Sequence, residues 1–212
     1  MTKISKRLQS ILEYVSLSDS IIDVGCDHGL LSIFLKENNL CKKIIASDVN
    51  RNALNNAINN IKKRDLSIET YLSDGIDQVP LDGINTLIIS GMGTSTILHI
   101  LRDSNKLKNI SKIIIQSNND LELLRSEMNK KGYYLESDIE LFDSPKWYVT
   151  NCFVKSTKKN TDKEVEFGYL NNPDYTKYLI EFYEEVLKKI PETSINDKQS
   201  KKEKIEKLKA TL

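Results

Sequence analysis

The period of the apolar residues changes several times along this chain, and each change marks an element. Residues 4–15 place Ile4, Leu8, Ile11, Leu12 and Val15 at helical spacing, with Ser5, Lys6 and Arg7 on or beside the polar face. A regular alternation follows. "SIIDVG" reads as a buried strand, "LLSIFLKEN" as a helix turning Leu31, Phe34 and Leu35 to a core, and "KIIASD" as a second strand. "NALNNAINNIKKR" is helical, with Leu54, Ala57, Ile58 and Ile61 on one face, and "IETYLSDG" and "NTLIISGMG" read as the next two strands. "TSTILHILRDS" is helical, "KIIIQSNN" is a strand, and "LELLRSEMNKKG" is a helix closed by Gly132.

Short β-branched runs alternating with helices predict a parallel, doubly wound α/β sheet. After Gly132 the rhythm breaks: "YYLESDIELF" and "KWYVTNCFVK" are joined by "DSP", which leaves no room for a helix and predicts an antiparallel hairpin. Five parallel strands ending in such a hairpin is the strand count of the Rossmann-like class I methyltransferase fold. A dinucleotide dehydrogenase would continue with another βα unit and a substrate domain. From Pro173 onward, Tyr175, Leu179, Phe182, Val186 and Ile190 repeat at four-three-four spacing, Pro191 ends the helix, and a lysine-heavy helix carries Ile205, Leu208 and Leu212. The expected organisation is a Rossmann-like domain over 1–160 and an antiparallel, coiled-coil-like helical hairpin over 161–212, with a polar stretch at 156–166.

Charge changes little in this picture. The 31 basic and 30 acidic residues give a net charge of +1, so any basic surface is local. Three cysteines (Cys26, Cys41, Cys152) without framework spacing suit a reducing compartment. The N-terminus lacks an apolar h-region, and no window reaches the length of a membrane span. A soluble, cytoplasmic protein is expected, as a monomer or weak dimer.

Candidate chemistry gathers at the strand ends, where ligands bind in open α/β sheets. After strand one, "DVGCDHG" sets Asp23, Gly25, Cys26, Asp27, His28 and Gly29 on the turn before a helix whose free N–H groups face a ligand. It does not supply the G-x-G-x-x-G of a dinucleotide site. Asp48, followed by Val49, ends strand two, where a carboxylate accepts from ribose hydroxyls. Asp74-Gly75 ends strand three, where an acid accepts from an adenine amino group, and Gly91-Met92-Gly93 ends strand four beside the expected reacting centre. Gln116, Ser117 and Asn118 end strand five. Singly, each has a structural reading: Asp23 as a turn acceptor, Asp74-Gly75 as a turn signal. Together they outline one adenosine-cofactor site. Cys26 and His28 have no metal-ligand partners at workable spacing, since His99 lies in a helix and the other cysteines are dispersed, so no metal is expected. Cys26 reads as a buried filler and His28 as a lining of the cofactor mouth.

"SKRL", "DVGCDHG", the strand-two acid, "SDG", "IISGMG", "IIIQSNN", "GYYLESDIELF", "KWYV" and the "FG" at 167–168 together resemble the bacterial tRNA adenine-22 N1-methyltransferase family, TrmK. The resemblance runs along most of the chain, and "DVGCDHG" with "GMG" carries it most specifically. It implies S-adenosyl-L-methionine as cofactor, tRNA as partner, and methyl transfer to N1 of adenosine 22 in the D-arm. Asp27 then belongs to the normal cofactor loop. Two positions depart from the family pattern: Asn85 replaces an acid, which would cost a turn hydrogen bond, and Thr94 replaces a glycine, which would narrow the target pocket.

The chemistry agrees with that implication. N1 of adenine carries a lone pair, whereas exocyclic-amine methylation uses an Asp/Asn-Pro-Pro-aromatic motif that "SGMGTS" lacks. N1 transfer mainly needs an in-line approach, and a carboxylate nearby would stabilise the developing positive charge. Asp27 is the catalytic candidate, its alternative role being to position the cofactor. N1 lies on the Watson–Crick edge, so the base must be unpaired or flipped and held. Thr94 and Asn118 are substrate-side candidates, and the resemblance adds Trp147 and Tyr148, one of which a hairpin strand would turn to the core. Arg7 is a candidate for a cofactor carboxylate or a phosphate, its alternative being a solvated helix residue. Lys42/Lys43, Lys62 to Arg64, Lys130/Lys131 and 198–209 are local basic clusters for tRNA. The rival readings are a methyltransferase of a small molecule or protein, a catalytically silent RNA-binding protein of this fold, and, least favoured, a nicotinamide-dependent oxidoreductase.

Overall fold

A computed structural model of the chain describes residues 2–212. The elements run α1 (Lys6–Leu12), β1 (Ser20–Val24), α2 (Leu30–Glu37), β2 (Lys43–Asp48), α3 (Arg51–Lys62), β3 (Glu69–Leu72), β4 (Thr86–Met92), α4 (Thr94–Ile100), β5 (Lys112–Ser117) and α5 (Leu121–Lys130). They continue with β6 (Tyr133–Asp143), β7 (Lys146–Lys155), α6 (Asp162–Phe167), α7 (Pro173–Lys189) and α8 (Ile195–Lys209). The strands form one seven-stranded sheet in the order β3-β2-β1-β4-β5-β7-β6. β1 to β5 are parallel, β7 pairs antiparallel with β5, and β6 pairs antiparallel with β7. The expected five parallel strands and closing hairpin are therefore borne out.

The central strands carry apolar residues on both faces because helices cover both. Ile22, Leu87, Ile89, Ile113 and Ile115 enter one cluster with α4 and α5, whereas Ile21, Ile88 and Ile114 enter another with Ile11, Leu31 and Leu35. Strand order reverses between β1 and β4, which opens a crevice at the carboxyl ends of these strands.

Three local outcomes differ from the sequence reading. The first helix is shorter than 4–15, because the Ser5 side chain caps it by accepting from the Leu8 N–H. The polar stretch 156–166 contains α6, started by a capping box between Thr161 and Glu164. Asn85 keeps a turn hydrogen bond: its amide oxygen accepts from the Ser20 N–H at 3.0 Å, so an acid is not needed there.

The chain divides into two compact units, residues 1–169 and 170–212. The division falls later than residue 160 because α6 packs on α5 within the first unit. In the second unit α7 and α8 pack together; Tyr175, Tyr178 and Phe182 stack along α7, and Glu184 pairs with Lys209 at 2.9 Å. Among the described residues no helix is long and apolar enough to cross a membrane.

Candidate functional site

A cavity of about 390 Å³ opens at the β1/β4 switch, within the roughly 300–1,000 Å³ common for small-molecule sites. It gathers Asp23 from the end of β1 with Gly25, Cys26, Asp27 and His28 after it, Asp48 at the end of β2 with Val49 after it, and Asp74 and Gly75 after β3. Gly91 and Met92 close it at the end of β4, and Arg7 reaches it from α1. Thus the strand-end residues form one site. It also includes Leu8, Leu30, Ser73, Thr96 and Ile100, apolar or small residues that carry no distinctive sequence signal.

The β1 turn is built for close approach. Gly25 has φ +74°, and a Cβ there would lie 2.0 Å from the Met92 methyl group, so the loop after β4 seals directly onto bare backbone. Its N–H donates to the Ser47 carbonyl at 2.8 Å, anchoring the turn on β2. Asp27 is also left-handed, with φ 49°, and its N–H donates to Asp48 Oδ2 at 3.0 Å. The other Asp48 oxygen accepts from the Asn50 N–H at 2.8 Å. Each oxygen retains a further lone pair for a hydroxyl. The Asp27 carboxylate is 70% exposed at the mouth, with His28 Nε2 3.6 Å away.

Asp23 lies behind this rim, 4% exposed, and accepts from the Ser32 hydroxyl at 2.7 Å. Burial pushes its carboxyl up to about 6; the Ser32 bond opposes the rise and the Asp48 charge adds to it. Cys26 is buried among Ala46, Leu54 and Ala57, and burial raises its thiol well above the ordinary range. It is a packing residue that contributes backbone to the cavity, not a thiolate.

At the β3 side, His99 Nε2 lies 3.1 Å from Asp74 Oδ2, with an Arg102 nitrogen 3.9 Å away. His99 therefore contacts the cavity-lining Asp74 without itself lining the cavity, a pairing its helical setting did not signal. On the β4 side the Arg7 guanidinium lies over Gly91, 3.3 Å from where a Cβ would be. Among the described residues Arg7 is the one lysine or arginine that lines the cavity, which otherwise presents the charged groups of Asp23, Asp27, Asp48 and Asp74.

Several expected site residues stand outside this lining. Gly29 starts α2, and Gly93 is the N-cap of α4. Thr94 does not narrow a pocket: it is 1% exposed, and its hydroxyl lies 2.6 Å from the Asn119 carbonyl and 2.9 Å from the Ser117 hydroxyl. Asn118 donates to the Gly91 carbonyl at 2.7 Å and so holds the β4 turn rather than facing the cavity. Tyr148 is close by, its ring 5.7 Å from the Arg7 guanidinium carbon and 4.9 Å from Lys146 Nζ. Trp147 packs edge-on against the half-exposed Phe142 at 5.6 Å, on the hairpin. No cluster of three or more His, Cys, Asp or Glu that would hold a metal occurs among the described residues.

Comparison with known proteins agrees with this geometry. A family profile described as a methyltransferase domain matches residues 4–150. The tRNA (adenine(22)-N(1))-methyltransferase of Bacillus subtilis is 28% identical over 149 residues, 69% of this chain and 63% of that protein. A ribosomal protein L11 methyltransferase of Thermotoga neapolitana is 28% identical over 126 residues, 58% of this chain and 47% of that protein. The chain thus spans less than two thirds of the length of these curated relatives. Among solved structures, M. capricolum TrmK in complex with S-adenosyl-homocysteine superposes with a TM-score of 0.85 at 29% identity. That match covers 98% of this chain and 97% of the other. The resemblance read from the motifs is borne out.

Proposed function

The chain belongs to the methyltransferase-domain family, and from that premise we propose that it methylates N1 of adenosine 22 in the D-arm of tRNA, using S-adenosyl-L-methionine. The observation that carries the reading is the likeness to the TrmK structure solved with its cofactor product, which extends over 98% of this chain, the second unit included. In sequence, the likeness covers 69% of the chain for the Bacillus subtilis tRNA enzyme and 58% for the L11 methyltransferase.

The residues present fit that cofactor. Asp48 would accept from the ribose hydroxyls, and Asp74 from the adenine amino group. Bare backbone at Gly25 admits the chain between them and Arg7. Arg7, across β1 from these acids, is the cation for the methionine carboxylate. Asp23 and Asp27 give the cavity the negative field that suits a sulfonium. When bound, the cofactor supplies a methyl on a positively charged sulfur, which an in-line nitrogen lone pair displaces as the carbon–sulfur bond breaks.

The protein's part is positioning and charge. The Asp27 backbone is pinned to Asp48 at 3.0 Å, so its exposed carboxylate stands at the cavity mouth, where an entering base arrives. There it stabilises the positive charge that develops on the purine ring as N1 becomes methylated. Tyr148, whose ring carries Arg7 at 5.7 Å and Lys146 at 4.9 Å, is the aromatic candidate for a flipped base, which would take the place of one of these cations. Basic residues elsewhere supply the phosphate contacts, fewer than composition implies. Lys43 is paired with Glu69, Lys130 with Glu127 and Arg64 with Glu37, which leaves Lys42, Lys62, Lys63 and Lys131 as the better candidates in the first unit. A tRNA substrate also places the protein in the cytoplasm.

The test is incubation with methyl-labelled S-adenosyl-L-methionine and either unmodified tRNA transcripts or ribosomal protein L11, followed by digestion and mass spectrometry. Labelled 1-methyladenosine at position 22 is expected. Label in L11 with none in tRNA would replace this reading by a protein methyltransferase.

A further inference from the structure

Gln116, at the end of β5, is 1% exposed and lies outside the cavity, yet it touches the cavity's cation. Its Oε1 accepts from Arg7 Nη1 at 3.0 Å. Its Nε2 donates to Thr150 Oγ1 at 2.8 Å and to the Arg7 carbonyl at 3.2 Å. The carbonyl can only accept, so the amide is oriented with its nitrogen toward the α1 backbone and its oxygen toward the guanidinium. Ser10 closes the arrangement, its hydroxyl 2.6 Å from Thr150 Oγ1 and donating to the Arg7 carbonyl at 2.8 Å.

We propose that Gln116 is a positioning residue, which aims the Arg7 guanidinium at the carboxylate of the cofactor's amino-acid end. This inference rests on the cofactor assigned above. The choice of an amide matters electrostatically. A buried carboxylate at this position would pair with Arg7 and consume its charge, whereas a neutral carbonyl fixes the guanidinium while leaving that charge for a ligand. Among the described residues no carboxylate pairs with the Arg7 guanidinium. The nearby acid, Asp143, accepts from the Arg7 backbone N–H at 3.2 Å instead. α1, β5 and β7 thus meet at one side chain, and the burial of Gln116 and Thr150 keeps water from competing for it. The "Q" of "IIIQSNN" thereby acquires a role that its place in the core would not suggest.

Two ligands separate positioning from mere structure. S-adenosyl-homocysteine carries the amino-acid carboxylate, and 5′-methylthioadenosine lacks it while keeping the adenosine and sulfur. Equilibrium binding of both would be measured by calorimetry for wild type, Gln116→Met and Gln116→Glu. Both variants are expected to weaken S-adenosyl-homocysteine by about tenfold or more, the scale of one hydrogen bond to a charged group, with methylthioadenosine changed by less than about twofold. In an Arg7→Met background, Gln116→Met should have no further effect on either ligand. Equal loss of both ligands, which a disturbed fold would also produce, overturns the proposal. So does unchanged S-adenosyl-homocysteine affinity. If the wild-type protein binds neither ligand, the cofactor reading itself fails. If it binds both but leaves tRNA unlabelled, only the choice of substrate fails.

Discussion

The backbone N–H of Asp27 donates to the carboxylate of Asp48 at 3.0 Å, so the acid that ends β2 supports the loop that follows β1. Because Asp48 also accepts from Asn50, one side chain holds both strand-end turns around the cavity. In Asp48 this structural role coincides with the ribose-binding role proposed above. In Asp27 they separate, since its backbone is pinned and its side chain projects to solvent.

That separation predicts opposite phenotypes for two neighbouring acids. Asp48→Ala strands two backbone donors, at about 1–3 kcal/mol each where they are shielded from water, and removes the ribose acceptor. Both melting temperature and S-adenosyl-homocysteine affinity should fall. Asp27→Asn retains the left-handed backbone, which asparagine tolerates, and loses only the charge. Its S-adenosyl-homocysteine affinity should stay near wild type while single-turnover methylation of tRNA drops by about 10²-fold. Unchanged turnover would reduce Asp27 to a loop residue.

Asp23 gives a pH dependence with a definite sign. Its folded-state value near 6 lies above the 3.8 of an unperturbed Asp, because burial disfavours the ion. Between these values the folded chain holds a proton that the unfolded chain has released, so stability falls as pH rises through that window. Above it, ionised Asp23 costs up to about 3 kcal/mol. Asp23→Asn keeps an acceptor for Ser32 without the charge. In urea titrations the variant should match wild type at pH 4 and exceed it at pH 7.5. A wild-type protein that gains on the variant as pH rises would contradict the burial argument.

Thr94 should behave as a core residue. Its hydroxyl is held by Ser117 and Asn119, and it sits 1% exposed at the start of α4. Thr94→Val is therefore expected to cost about 1–3 kcal/mol of stability and to leave the KM for tRNA unchanged. A changed KM at unchanged stability would restore it to the substrate pocket.

The strand-end acids and the glycine turns were legible in the sequence because the topology alone carries them to one edge of the sheet. Once β1 to β4 are placed, Asp23, Asp48, Asp74 and Gly91 must converge. What escaped was contact between elements distant in sequence. His99 meets Asp74 only because α4 runs past the β3 turn, and Gln116 meets Arg7 across 109 residues. The burial of Thr94 was not legible for the converse reason. Its neighbour Gly93 begins a helix, and whether the next side chain faces the cavity or β5 is set by the direction in which that helix leaves the sheet. Capping chemistry could have revealed α6, since Thr161 and Glu164 have the spacing of a capping box.

The same dependence on distant contacts governs the "FG" at 167–168, which no part of the cavity uses. Gly168 has φ 80° and ψ −157°, a region almost restricted to glycine. A Cβ there would lie 2.0 Å from Asp138 Oδ2 and 2.8 Å from Arg125 Nη2. Those two side chains are buried and face each other at 3.5 Å, Arg125 also donates to Asn151 at 3.2 Å, and Asp138 accepts from the Tyr169 N–H at 3.3 Å. Even with Arg125 beside it, burial leaves the Asp138 carboxyl above its ordinary value, so this pair has little electrostatic reserve to absorb a displacement. Gly168→Ala should therefore destabilise the protein by about 3 kcal/mol or more in denaturant titration. Adding Asp138→Ala removes the nearer clash but leaves the one with Arg125 and takes a carboxylate from that buried cation, so the double variant should not regain wild-type stability. In both, the fraction that remains folded should bind S-adenosyl-homocysteine normally, because the cavity lies at the ends of β1 to β4. Recovery of full stability in the double variant would show that the clash alone, and not the buried pair, makes glycine necessary here.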